Sequence, residues 1–443
     1  MISLISVIVT AASIFLSKII FRKWFNPLSF YAIVWGTIVF AYGFRLMPLI
    51  DISTEAWTAI VLSYVAFIFG VLVLYVAQDV FNKNTAHFSS DENAFYIFYN
   101  DGKVLKTIIW IFAIIGLFAA LQHWYVLFAR YGSFTEIFIH SLRVYRERID
   151  GVESGEIPYL WLFSYVAIFL SGIYTAYRGK IEIVTVLSIL GIILKEMARF
   201  TRSGILLGML EFIIAFVLFR YVLSSSNSYT KRNNRKLIFG SIVLIALFIA
   251  SASFVKVSRN TFDDYKGVSS SLSQYKGGAL ISPSIYFYLS SQIAVFSRYL
   301  EIGDEKLLIA QNTLFPIYSL LSKTGVVERP KDNSIGYYVP TWSNTATYLR
   351  DLHSDYGFTG IIIGPFLLGL ITSFYWFKTF YKNDLISFVI LSFLMIVIGM
   401  SFFAIQIRSI TWWFSLLSII GVIKYLKKNY LLKLNNILIP GIE

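Results

Sequence analysis

The stretch Ala198-Arg199-Phe200-Thr201-Arg202-Ser203-Gly204 holds two guanidinium groups three residues apart. Arginine's planar fork binds carboxylate and phosphate bidentately. Ser203-Gly204 reads as the start of a helix, whose N-terminus offers free backbone N–H groups and the positive end of a dipole. Together these features describe a compact anion site. Lys195 and Glu196 lie one turn earlier, inside an apolar segment. An ionisable side chain at that depth costs roughly 2.5–3.5 kcal/mol by insertion scales and is a functional candidate by default. Glu196 therefore joins the catalytic candidates, although the two residues could also pair with each other and be structural.

A second group closes a long polar stretch and reads Trp342-Ser-Asn-Thr-Ala-Thr-Tyr348-Leu-Arg350-Asp351-Leu-His353-Ser-Asp355-Tyr356-Gly357-Phe-Thr-Gly360. Asp351, His353 or Asp355 could act as a general base toward a sugar hydroxyl, and Arg350 adds a guanidinium for phosphate. The bland alternative is helix capping with local ion pairs. Arg259 opens the same stretch, followed by Asp263 and Asp264, but no Asp-x-Asp pattern supports a metal there. Between Phe128 and Ile157, the apolar residues Phe134, Ile137, Phe138, Leu142 and Tyr145 recur at helical spacing, with His140, Arg143 and Arg146 interspersed. That pattern fits an amphipathic interfacial helix, with Arg143 and Arg146 as second-rank phosphate contacts or as plain anchors. No Walker loop, dinucleotide fingerprint or HExxH is present, and the absence of cysteine excludes thiol catalysis and cysteine-bound metals.

The elements that must position these groups are membrane helices. Hydrophobic residues form 57% of the chain and charged ones only 14%, against roughly 25% charged in soluble domains. Continuous apolar runs exclude a β-barrel, whose strands alternate. The runs predict an all-α polytopic membrane protein with about eleven spans: 2–21, 28–47, 56–78, 104–126, 158–177, 182–198, 203–223, 237–256, 358–377, 384–403 and 409–426. Residues 1–256 then hold spans one to eight. Residues 257–357 form one large extracytoplasmic loop with nine basic and nine acidic residues and short surface helices over 284–300 and 306–321. Residues 358–443 hold the last three spans and a basic tail.

Lys18, Arg22 and Lys23 follow the first apolar run rather than precede it, the reverse of a secretory signal. The reading is a retained span with its N-terminus outside and the C-terminus cytoplasmic. Lysines then gather inside, as the positive-inside rule expects, so the net charge of +13 needs no nucleic-acid partner. The short outer connections instead hold Arg45, Arg130, Arg143, Arg146, Arg148, Arg199, Arg202 and Arg408 against the single Lys195. Arginine accumulating outside suggests an anionic ligand at the outer leaflet.

With its short arginine turn and a large outer loop ending Thr345…Leu349…Asp355-Tyr-Gly357-Phe-Thr-Gly360, the chain resembles the Wzy-type oligosaccharide repeat-unit polymerases of O-antigen and capsule synthesis. The resemblance covers the whole layout and rests on those two stretches. It implies a GT-C-like, metal-independent glycosyltransferase of the bacterial inner membrane. Such an enzyme would transfer an undecaprenyl-pyrophosphate-linked glycan en bloc to a new repeat unit, without a cofactor. Arg199, Arg202 and Arg259 correspond to the pyrophosphate-binding arginines, and the Asp351–His353–Asp355 group to the acceptor side. Trp342, Tyr348 and Tyr356, with Tyr337 and Tyr338, would stack on sugars unless they are ordinary interfacial aromatics. Membrane lipid and a chain-length regulator are the expected partners. An O-antigen ligase and a lipid-linked oligosaccharide flippase or other transporter are the alternatives.

Overall fold

The computed structural model describes residues 1–83, 94–149, 155–224, 250, 253, 267–273, 283–303, 308–328, 330 and 335–438. The expected span 237–256, save 250 and 253, and Arg259 lie outside them. In chain order the helices are α1 (Ile2–Phe21), α2 (Pro27–Gly43), α3 (Thr54–Lys83), α4 (Lys103–Tyr131), α5 (Phe134–Ile139), α6 (Ser141–Ile149) and α7 (Phe163–Arg178). They continue with α8 (Ile183–Ala198), α9 (Ser203–Ser224), α10 (Pro283–Ile302), α11 (Phe315–Ser322), α12 (Tyr348–Lys382), α13 (Leu385–Met400) and α14 (Ile410–Leu438). Strands β1 (Tyr337–Tyr338) and β2 (Trp342–Ser343) pair antiparallel in one small hairpin.

Among the described residues, seven helical segments are long and apolar enough to cross a membrane, and α2 and α13 are shorter apolar helices. The protein is an all-α polytopic membrane protein. Only helices that satisfy their own backbone hydrogen bonds survive in hydrocarbon, which is why uniformly apolar runs became helices rather than strands. Two boundaries differ informatively from expectation. The amphipathic segment after α4 is broken at His140 into α5 and α6. The end of the long loop is helical from Tyr348 and turns at Gly357 (φ 63°, ψ −155°) before the apolar part of α12. That conformation favours glycine, which lacks the Cβ that would clash.

The chain forms two compact units. The first comprises Met1–His87, Thr261–Phe374 and Leu394–Ile410. Within it α1 packs on α2, and α10 packs on α2 and α3. The N-terminus of α2 is fixed by a capping box, in which Asn26 and Ser29 satisfy each other's backbone N–H groups. Helix α10 docks through polar contacts: the Tyr286 hydroxyl donates to Ala41 O at 2.7 Å, and Ser297 Oγ accepts from Ser53 N at 2.9 Å. Helices α3 and α12 approach so closely that a Cβ on Gly70 would overlap Phe366 O, and one on Gly369 would overlap Phe67 O. Small residues of this kind let membrane helices touch backbone to backbone.

The second unit comprises Phe88–Asn260, Tyr375–Phe393 and Thr411–Glu443. Helix α7 is its core, with every residue from Ser164 to Ala176 buried. It packs against α4, α8 and α9. At one end, Glu182 accepts from Lys106 Nζ at 2.7 Å and Arg178 Nε at 3.1 Å. Burial alone would push its carboxyl up, but these partners outweigh it and hold the group at about 2.

Two outcomes follow. Gly70→Leu or Gly369→Leu should lower the unfolding midpoint in detergent, at a cost on the order of 1–3 kcal/mol from overpacking. A lowered carboxyl value means that the Glu182 contribution is complete above about pH 4.5, the ordinary value, and is lost as pH falls toward 2. Acid unfolding of Glu182→Gln should therefore be less pH-dependent across that window than that of the native chain.

Candidate functional site

In the second unit, the turn between α8 and α9 is organised by a buried ion pair. Lys195 and Glu196 are both 2% exposed, and Lys195 Nζ pairs with Glu196 Oε1. Two charges so placed must satisfy one another and find further hydrogen bonds. Glu196 also accepts from the Thr201 hydroxyl and from Tyr165 Oη at 2.8 Å. The Lys195 ammonium lies 3.8 Å from the Trp161 ring centroid. The carboxylate fits against the first turn of α9 only because residue 204 is glycine, where a Cβ would overlap it. Part of the anion site expected at this helix N-terminus is thus filled by the protein's own Glu196.

Arg199 stacks over the other partner of this cluster, its Cζ 4.7 Å from the Trp161 centroid. Its Nη2 donates to Glu156 Oε1 at 3.0 Å, while Glu156 Oε2 lies 3.3 Å from His123 Nδ1. Arg199 Nε is buried with no hydrogen-bond partner. Arg202 is partly exposed. Deeper in α9, Glu211 is fully buried and neither carboxyl oxygen has a hydrogen-bond partner. Arg143 is turned to its own loop, its Nε 2.7 Å from Glu147 Oε1, and Arg130 takes the other oxygen of Glu147 at 3.1 Å. Arg146 is exposed.

In the first unit, the start of α12 carries the second cluster. Asp355 is saturated: Oδ1 accepts from Asn312 N (2.9 Å) and Nδ2 (3.1 Å), and Oδ2 from Thr313 N and Oγ1 (2.7 Å each). Asp351 is buried, accepts from Ile405 N at 2.7 Å and faces Arg408 Nη1 at 3.8 Å. Arg350 is also buried; Nη2 donates to Ile335 O at 2.7 Å and its Cζ lies 5.4 Å from the Tyr337 centroid, so it braces the hairpin. Tyr348 is a core residue sharing a 3.0 Å hydrogen bond with the Tyr31 hydroxyl. Trp342 and Tyr356 are exposed, at 56% and 44%, and the Trp342 indole packs against Gly336.

His353 differs from its neighbours. Nδ1 lies 3.0 Å from Tyr299 Oη, the ring meets Tyr299 and Phe358 edge to face, and the residue is partly exposed. When Nδ1–H donates to the Tyr299 hydroxyl, Nε2 carries a lone pair and can accept a proton. Of Asp351, His353 and Asp355, it is the group with an acceptor atom not already engaged.

The sequence offers Glu136, Glu147, Glu153 and Glu156 as possible partners of the outer arginines, and Arg199 takes Glu156 while Arg130 and Arg143 take Glu147. Trp161, Tyr165, Tyr299 and Asn312 come from other elements as partners that linear reading did not identify, and only the Trp161/Tyr165 spacing, one helical turn apart at the start of a span, hinted at any of them. No protein-family model, no curated protein and no solved structure matches the chain.

The ion pair sets a stability test. Glu196→Gln should leave Lys195 buried without its counter-charge, a loss of roughly 3–5 kcal/mol. The double change Lys195→Met with Glu196→Leu should recover much of it. Thermal unfolding of the single and double variants in detergent decides the point, and equal midpoints would contradict the pairing.

Proposed function

We propose that the protein polymerises lipid-pyrophosphate-linked oligosaccharide repeat units at the outer leaflet of a bacterial inner membrane. The observation that supports this reading is Arg199, held in place by Glu156 and Trp161 with Arg202 three residues on, at the start of α9. In this reading the chain has eleven spans, a GT-C-like layout and the N-terminus outside. The two guanidinium groups take the pyrophosphate and stabilise the charge that grows on it as the glycosidic C–O bond breaks. Preorganised donors do this best, because they need no reorganisation in the transition state. The acceptor sugar hydroxyl that displaces the pyrophosphate must lose its proton; within the first unit, His353 Nε2 is the atom open to take one. Trp342 and Tyr356 offer apolar faces for sugar rings, and Arg259 remains a third pyrophosphate candidate. Asp351, Asp355 and Arg350 hold the segments around His353 rather than touching substrate.

One observation favours a second reading. Lys195, Glu196 and Glu211 are all buried within the helices of the second unit, and charges inside a bundle mark ion and substrate paths. A transporter of lipid-linked oligosaccharide is therefore the rival. An O-antigen ligase shares the donor chemistry but would leave polymer made and unattached when deleted.

Extension of a purified lipid-linked repeat unit by the purified protein separates these readings. A polymerase yields a ladder of longer glycans; a transporter moves the unit between leaflets without lengthening it. Arg202→Ala should cut extension by about 10²–10³-fold, the usual cost of one transition-state charge donor. His353→Ala should cut it by roughly 10²–10⁴-fold, as expected for a lost general base. Full extension by both variants would sink the assignment.

A further inference from the structure

The segment before and through α11 presents apolar side chains outward, which a water-facing loop would avoid. Ile309 is 79% exposed, Leu320 66%, Val326 71% and Ile317 53%, with Leu308 and Leu314 beside them. Helix α11 has no buried residue at all. The segment is nonetheless ordered. Tyr318 Oη donates to Ile309 O at 2.9 Å, Leu308 N donates to Gln311 Oε1 at 3.2 Å, and Phe315 lies under Arg408, 4.9 Å from ring centroid to Cζ.

The tether fixes its depth. All four hydrogen bonds of Asp355 go to Asn312 and Thr313, immediately before Leu314. Asp355 itself stands two residues ahead of the Gly357 turn, after which α12 exposes Phe358, Ile362 and Ile363. These are the outward residues of a membrane-crossing helix. The exposed apolar face of 308–326 is thus held at the level where the chain enters hydrocarbon, continuous with a surface that already meets lipid. Pro316 opens α11 and Lys323 closes it, the short helix with a cationic end that suits an interfacial position.

We propose that residues 308–326 are a membrane-docking element, inserted with Ile317 and Leu320 into the headgroup–acyl boundary of the leaflet beside Asp355. The occupant of this face is lipid, not a second protein. The inference does not depend on the catalytic reading. It places the partly exposed His353, two residues before Asp355, beside a lipid-contacting sill.

The chain has no cysteine, so single-cysteine probes report without background. Leu320→Cys and, separately, Ile317→Cys should be labelled with an environment-sensitive fluorophore in the full chain reconstituted in liposomes. Both probes should be quenched by phospholipids carrying a nitroxide near the headgroup end of the acyl chain, and be protected from aqueous iodide at least several-fold. Asp355→Asn places an amide against the Thr313 donors, so it should raise iodide access at position 320. Iodide quenching without lipid-nitroxide quenching at both positions would overturn the proposal. So would efficient disulfide formation between two Leu320→Cys copies, which would assign the face to a second copy of the chain.

Discussion

A charge within a membrane helix must find its counterpart inside the same chain, because no water is there to replace it. The Lys195–Glu196 pair shows how far that constraint reaches. Neighbouring residues on a helix do not face each other, so the pair closes only where α8 is ending and both side chains can swing to one side. Glu196 then needs further donors, which Thr201 supplies from the turn and Tyr165 from α7. Lys195 needs a polarisable neighbour and finds the Trp161 face. Gly204 is required for the carboxylate to reach the start of α9. One ion pair thus fixes the end of α8, the course of the turn and the beginning of α9.

The first unit solves a similar problem with Asp355. A carboxylate accepting four hydrogen bonds from two consecutive residues works as a clasp. In both units the carboxylate that stands out in the sequence belongs to architecture, while a neighbour is partly exposed: Arg202 beyond Glu196, and His353 before Asp355. Counting ionisable residues in a motif therefore does not separate those that the fold consumes from those left partly exposed.

The helices were legible in the sequence because membrane insertion imposes a length and an apolarity that a single run reveals by itself. The fine boundaries were not: His140 interrupts a regular apolar spacing because α5 ends there, with His140 as its C-cap. Nor could the sequence decide whether Arg199 faces a ligand or its own loop. Its carboxylate partner is Glu156, 43 residues away, and pairings at that separation follow from packing that local pattern does not encode. Arg143 is the opposite case: its partner Glu147 lies four residues on along α6, a helical spacing that local pattern does encode.

The two arginines of the turn differ in how the fold holds them. Arg199 is pinned on a ring face and a carboxylate, which lowers the entropy lost when it meets an anion but neutralises part of its charge through Glu156. A group so held sets direction more than strength. Arg202, three residues on, is partly exposed. In a single guanidinium group, preorganisation by a carboxylate and full positive charge toward an anion oppose each other. Glu156 carries both effects: without it, Arg199 would keep its charge and lose its aim.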